Sequence, residues 1–535
     1  MKPFWTIVKL TMRNAFRSHI FQLLLAILIL CVVFIPATIE GDGTARGFIQ
    51  VSLKYSLFAV ALMLSLSSVW SGCQAMTQDV DGYQLHMVVS KPVSRVVIWM
   101  AKLSGIFIIH VSLLLISAVL IYAVVMTRYN AQQISDSDVK QVEADVSSLE
   151  KRVESMPNTR ERDAVKQRLE EQKDVLSKMK ERIAEDTRIR NEVLVARRKF
   201  MPVGAITMPD GTKKDMPISS PEYIAYRSQA DFEAWMRDNQ IEGNKLDASS
   251  QRARLKDIKV AAITAESSVQ FGPDHRKIWR ISDLPTGDNP LFVRYRTFVT
   301  EVSDTTERMT LGQWFYGRVI PGPDNTTVAS DTSWIPLSVD PQSFLTNRFS
   351  EFKLPNDAID SYGTVLLSFI NYDPQKQEMF FQIWDGPEVY ARYGGFTANY
   401  VKCVLMIALE LLVLSALGCA VSAFLSMPTA IFFVISYLFA GSLATAVSSR
   451  GYIITDDATL AAQARLGSMV GKLLLLLVIP LQDFDVSDLV ADGIMIEWSS
   501  IADVVLNFCV LRVLPLCLLG VWLYRRRELG LVIRK

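Results

Sequence analysis

Along its length the chain switches between apolar runs with scarcely a charge and one long central stretch crowded with them. Apolar runs at about 20–39, 51–72, 103–126, 400–424, 429–447 and 503–523 each reach the roughly 20 residues a helix needs to cross a hydrocarbon core of about 30 Å. They predict six spans. A shorter run, Leu473 to Leu481, contains Pro480 and is followed by Asp483, Asp485 and Asp488. Roughly 10–14 residues do not cross, so this piece predicts a re-entrant or interfacial helix. Ile20 to Ile39 is too long for the apolar region of a cleaved signal and reads as the first span.

Before that span, Phe4, Trp5, Val8, Met12, Ala15 and Phe16 share one helical face while Lys9, Arg13 and Arg17 recur every four residues on another. The pattern suits a helix lying on a membrane surface. An ordinary basic flank of the first span is the alternative. Basic residues also gather in the loop after span two (Lys91, Arg95, Lys102) and in the tail (Arg525, Arg526, Arg527, Arg534, Lys535). Six spans put all three regions on one side, the cytoplasm by the positive-inside rule, and residues 127–397 on the other.

The central stretch has its own periods. Val139, Val142, Val146, Leu149, Val153 and Met156 follow 3,4 spacing, as does a second seam through Val165, Leu169, Leu176, Met179 and Ile183. Pro157-Asn158 separates them, so the pair predicts an antiparallel coiled-coil hairpin. It is either a solvated helix pair or a strut for a second copy or another protein. Pro209-Asp210-Gly211 marks a turn, and Ser220-Pro221-Glu222 starts a helix with serine as cap. From about residue 265 the period falls to two, in 292–299 and 364–370, with Met379–Trp384 closing the series. Short strands between Gly, Pro, Asn and Asp turns predict an antiparallel β-sandwich.

The predicted fold class is an α-helical polytopic membrane protein, six spans plus a re-entrant helix, with an α+β extracytoplasmic insert. Its divisions are 1–126 (surface helix, spans one to three and the loop), 127–200 (coiled-coil hairpin), 201–396 (mixed helices, then β-sandwich) and 397–535 (spans four to six and the basic tail). Composition agrees: of 535 residues half are apolar and 21% charged, and 56 basic against 55 acidic residues leave no global attraction to nucleic acid. The six cysteines avoid 128–396, so the insert is no disulfide scaffold. Its lone histidine, His275, disfavours a histidine triad or multi-histidine metal site. Trp279, Trp314, Trp334 and Trp384 are candidates to stack on a sugar or, as strand aromatics, to fill a core.

The loop between spans two and three carries the most information. Thr77-Gln78-Asp79-Val80-Asp81-Gly82 leads to Ser90-Lys91-Pro92-Val93-Ser94-Arg95 and then Lys102-Leu103-Ser104-Gly105. This arrangement resembles the ABC-2 type permease family, in which the segment forms a coupling helix seated on the ATPase. Asp79 stands where that family commonly has Glu. Ile479-Pro480-Leu481-Gln482-Asp483-Phe484, Gly418 followed by Ser426-Met427-Pro428, and Arg525-Arg526-Arg527-Glu528 are similar to the same family. The resemblance covers about 1–126 and 396–535; the insert lies outside it.

The resemblance implies a permease subunit of the bacterial inner membrane with no catalytic activity or bound cofactor of its own. ATP and Mg are used by a cytoplasmic ATPase partner touching Gln78, Asp79, Asp81, Lys91, Pro92 and Arg95. The chain pairs as a homodimer or with a closely related permease, amid membrane lipid, and an envelope protein is a candidate partner of the insert. No motor is encoded: a phosphate-binding loop needs Gly-x-x-x-x-Gly-Lys-Ser/Thr, and Gly467-Ser468-Met469-Val470-Gly471-Lys472 is one residue short.

Two charges lie in predicted spans, Glu410 and Arg512. Each costs roughly 2.5–3.5 kcal/mol at mid-span and so should face protein or water. Their similar depth permits a mutual pair, a contact to substrate, or no contact. His110 reads as a packing histidine. Three functions stay open: transport or flipping of a substrate, mechanical transmission to the insert, and a membrane-anchored envelope enzyme.

Overall fold

The computed structural model describes residues 2–38, 44–81, 93–132, 136–155, 160–208, 212–239, 248–287, 290–299, 307–317, 334–360, 362–449 and 458–526. The turns expected at Pro157-Asn158 and Pro209-Gly211 lie outside them. The chain divides into two compact units, 1–196 with 394–535, and Arg197–Tyr393.

The first unit is helical. α1 (Lys2–Arg17) meets α2 (His19–Thr38) at a 73° bend. α3 (Ala45–Asp81) and α4 (Arg95–Gln132) follow, then α5 (Asp136–Ser155) and α6 (Arg160–Arg188). After the second unit come α9 (Phe396–Ser422), α10 (Met427–Ser449), α11 (Ala458–Leu477), the short α12 (Ser487–Ala491) and α13 (Trp498–Arg526), which is π-helical over Val505–Val513. Among the described residues five helices are long and apolar enough to cross a membrane, six if the bent α1–α2 pair counts as one. Leu23, Phe34, Phe432, Phe439 and Leu476 stand outward from this bundle, a surface suited to hydrocarbon and costly in water.

α9 is the pillar. Of its most apolar stretch 78% is buried, against 22% for α10 and for α13. It lies parallel to α3 on a seam of small residues: Ser68 Oγ and Ser415 Oγ are 2.7 Å apart, and a Cβ at Gly72 would come within 3.3 Å of Gly418 Cα. Small residues let helix backbones approach where no water drives burial. α4 runs the other way, Tyr400 Oη donating to Ala118 O at 2.8 Å near one end and His110 Nε2 lying 3.0 Å from Ser67 Oγ midway. His110 is fully buried with both ring nitrogens engaged, the packing role expected of it.

The short apolar run near Pro480 belongs to a longer element than its hydropathy suggested. α11 extends over twenty residues, because the Ala- and Leu-containing stretch from Ala458 to Leu466 favours helix while Arg465 and Lys472 lower its apolarity. α11 descends along α10, with Gly467 against Val447, and ends beside Tyr437, about 15 Å along α10 from its start. The chain then returns to the end it came from. Asp488 pairs with Lys54 at 2.9 Å, and Ile494 and Ile496 bond Asn399 and Lys402 in the first turns of α9. Gly467–Lys472 lies inside α11, so the near-match to a phosphate-binding loop is helix rather than loop.

α5 and α6 pack antiparallel. Glu150 pairs with Lys173 at 2.7 Å and Glu143 with Lys180 at 2.9 Å, seven residues back on one arm and seven on along the other. The seam residues Val142, Val146, Leu149, Leu169, Leu176 and Met179 turn inward, while Val175 points out. This helix pair groups with the bundle, not with the sheets.

The second unit holds β1 (Val195–Phe200), β2 (Val203–Thr207), β3 (Lys213–Pro217), α7 (Pro221–Asp238), α8 (Ala248–Ser267), β4 (Ser268–Val269), β5 (Lys277–Ile281), β6 (Leu291–Tyr295), β7 (Phe298–Val299), β8 (Met309–Gly317), β9 (Trp334–Pro336), β10 (Gln342–Leu345), β11 (Ser350–Leu354), β12 (Val365–Asn371), β13 (Met379–Phe380) and β14 (Glu388–Gly395). Ser220 caps α7, accepting from Tyr223 N at 3.1 Å. Sheets ordered β1-β14-β6-β11 and β10-β8-β12-β5-β2-β3 share one aromatic core. In it Tyr295 of the first sheet lies 4.9 Å from Trp314 of the second, centroid to centroid. A small third sheet, β4-β13-β7, adds Met379 and Val299 to that core. Trp279 and Trp314 are core, Trp334 carries Arg276 on its face at 5.1 Å, and Trp384 is exposed.

The turn after β12 is held by a buried carboxylate. Asp373 accepts from Thr310 Oγ1 at 3.1 Å, from Gln377 N at 3.0 Å, and from the Arg308 guanidinium. Burial pushes its carboxyl upward, but Arg308 and the other two donors outweigh that and hold it below the ordinary carboxylate value.

Candidate functional site

One end of the bundle collects what the sequence singled out. α3 ends there at Asp81 and α4 begins there at Arg95. Gln78, Asp79 and Asp81 lie in the last helical turns of α3, their side chains outside the described residues, as are Lys91 and Pro92 altogether. α13 ends at the same place: Arg95 Nη1 donates to Arg525 O at 2.9 Å and Tyr524 O at 3.4 Å. The last carbonyls of a helix lack partners within it, and a cation there is favoured by the helix dipole. Arg95 thus ties the start of α4 to the end of the last helix. Sequence reasoning assigned it to a partner surface and missed this use, which no local pattern encodes.

α1 packs on this end too. A Cβ at Gly105 would meet Thr11 Cβ at 3.0 Å and Val8 O at 3.1 Å, so the glycine of Lys102-Leu103-Ser104-Gly105 is what admits α1 against α4. The Lys102 ammonium, buried between the helices, donates to Ala75 O of α3. The ends of α3 and α13, the first turns of α4 and the middle of α1 therefore gather at one end of the bundle.

Glu410 and Arg512 do not meet. Glu410 Oε1 accepts from Ser65 Oγ at 2.8 Å in the seam between α9 and α3. Arg512 Nη1 donates to Val478 O at 2.8 Å, just past the end of α11, and its guanidinium lies over the Phe508 ring at 4.8 Å. Tyr437 Oη donates to Leu477 O at 2.8 Å. A helix ending inside the bundle leaves carbonyls with no water to take them, and each unmet group costs several kcal/mol. Arg512 and Tyr437 satisfy two of them. Gly441 completes the seat, since a Cβ there would fall 2.7 Å from Ile479 O. Equal depth permitted the pair; the rotation of α13 about its axis decided against it.

At the other end of α3, Glu185 of α6 accepts from Ala45 N and Arg46 N in its first turn, and Arg46 pairs with the buried Glu192 just past α6. Carboxylates at a helix start are favoured by its unmet donors and dipole. The base of the helix pair is thereby joined to the first turn of the helix whose last turn carries Asp79 and Asp81.

Among the described residues no group of three or more His, Cys, Asp or Glu is arranged to hold a metal ion. The six cysteines are free thiols, Cys73, Cys403 and Cys419 fully buried. No family model, curated protein or solved structure matches the chain.

Proposed function

We propose that the chain is the membrane subunit of an ABC transporter of the ABC-2 type. A separate cytoplasmic ATPase, using ATP and Mg, seats on residues 78–92, and two copies of the chain, or the chain and a related permease, carry a substrate out or flip it. The observation that best supports this reading is that the end of α3, the start of α4 and the end of α13 meet at one end of the bundle, α3 and α4 being helices of 37 and 38 residues. A push on the stretch between them tilts two rods that traverse the bundle. Its basic residues support a cytoplasmic setting for that end, which leaves residues 127–397 as the extracytoplasmic part of the chain. α11 and its return become the re-entrant element, capped at mid-bundle by Arg512.

The test is co-purification with the genetically linked nucleotide-binding subunit and ATPase activity of the complex. Asp79→Lys with Lys91→Glu should remove the complex or cut activity at least about tenfold, as expected when a close charge pair across an interface is lost. Arg95 is left intact because it holds α13. Normal assembly and turnover in this double variant would sink the reading.

A second reading, motion delivered to the exterior with nothing passing through the membrane, is favoured by the Glu185 and Glu192 contacts to α3. A variant lacking 147–176 keeps Glu143, Lys180 and Glu185. Under mechanical transmission it retains ATPase activity and loses the exterior function; under transport both persist.

A further inference from the structure

The segment that follows α11 lies deep in the bundle and is polar. Phe484 stacks on Phe508 at 5.1 Å, while Asp483 and Asp485 lie within electrostatic reach of Arg512 and Glu410 respectively. Arg512 is the middle residue of Trp498–Arg526, so residues 482–485 sit near mid-bundle. There Gln482, Asp483 and Asp485 are exposed, whereas the last turn of α11 is apolar outside, Leu476 and Leu477 being 70% and 71% exposed. Toward the start of α9 the polar face continues through Asp488 and Lys54, their side chains 63% and 45% exposed. A carboxylate turned to hydrocarbon at that depth costs roughly 2.5–3.5 kcal/mol, so this face does not meet lipid. Nor does it suit a second copy of itself. A two-fold contact presents the same patch from both sides, and acids would then oppose acids, a juxtaposition that costs several kcal/mol.

We infer that this face lines a water-filled cleft, running from the end of the bundle where α9 starts down to Arg512 and Glu410, and that the cleft admits small organic cations in preference to anions. Water lets acids stand exposed at that depth. Residues 478–492 carry four aspartates and no base, against Lys54 and Arg512 on the facing helices. Such an excess between low-dielectric walls concentrates cations. The cleft needs only the bundle's membrane setting; that its cation is the transported substrate rests on the permease reading above.

The experiment places a reporter thiol in the full chain in lipid nanodiscs, with wild type and its native cysteines as background. Gln482→Cys and, on the apolar face of α11, Leu476→Cys are treated with membrane-impermeant methanethiosulfonates, one bearing trimethylammonium and one sulfonate. Added mass is followed over time. Gln482→Cys should gain one label beyond wild type and Leu476→Cys none. With each rate divided by that on a free thiol in the same buffer, the cation should react at Gln482→Cys at least about tenfold faster than the anion. Asp483→Asn with Asp485→Asn should bring that ratio close to one. Asp483→Cys is the reporter if Gln482→Cys does not fold. A reporter as unreactive as Leu476→Cys would overturn the cleft. Labelling at equal normalised rates would keep the water and overturn the preference for cations. No step involves ATP, so loss of the permease assignment would leave these outcomes unchanged.

Discussion

The bundle and the β-sheet unit both bury apolar side chains, but the bundle also turns large ones outward along most of its helices. In the sheet unit Trp279, Tyr295, Trp314, Phe369 and Phe381 are inside, and of the described charges only a few, Arg197, Asp373 and Glu388, join them. In the bundle Ser65, Ser68, Ser415, Glu410 and His110 are inside, while Phe432 and Leu476 are 74% and 70% exposed. Water drives the first arrangement through the cost of apolar surface. The second is the arrangement of helices already surrounded by hydrocarbon, where small residues and satisfied polar groups hold the interior together.

The largest expected effect that sharpens this contrast is at Trp314. Trp314→Ala should destabilise the sheet unit by about 3–5 kcal/mol through lost burial and the cavity left behind. Phe432→Ala on the bundle surface, in lipid nanodiscs, should change stability by less than about 0.5 kcal/mol. Equal losses in thermal or denaturant unfolding would break the comparison.

Next is the polar interior. Arg512→Gln should cost about 1.5–3 kcal/mol by leaving Val478 O unmet, with Arg512→Lys recovering part. Glu410→Gln should add to it within about 0.5 kcal/mol, since the two side chains share no partner. A larger coupling in a double-mutant cycle of melting in nanodiscs would mean that they meet.

Smaller still is the acid response of the sheet unit. Asp373 is held below its ordinary value, about 3.9, so its contribution is complete above that value and fades as pH falls through the lower folded value. Melting of the sheet unit, followed by tryptophan fluorescence between about pH 5 and 2, should fall more steeply in wild type than in Asp373→Asn. Parallel curves would remove Asp373 from that account. The smallest effect belongs to the helix pair: Glu150→Ala, at a half-exposed ion pair, should change thermal stability by less than about 0.5 kcal/mol.

Much of the architecture was legible because it depends on local rules. Apolar runs of spanning length became α2, α3, α4, α9, α10 and α13, 3,4 spacing became α5 and α6, and Ser220-Pro221 became a helix cap. The stretches at 292–299 and 364–370 became β6, β7 and β12, although β12 is buried at every position, on both faces of its sheet. α11 was the exception among the helices. Its first half is moderately polar, and what keeps it against α10 is the fit of Gly467 to Val447 and of Gly441 to Ile479.

The sequence by itself determined which residues are apolar, which stretches become the long helices, and how far along those helices Glu410 and Arg512 lie. Only the tertiary structure decided what each charge faces. Depth is set by rise along a helix axis, 1.5 Å per residue, and counting supplies it. Facing is set by rotation about that axis, and this depends on which neighbours pack where. For that reason Arg512 caps α11 rather than meeting Glu410, and Arg95 closes the end of α13.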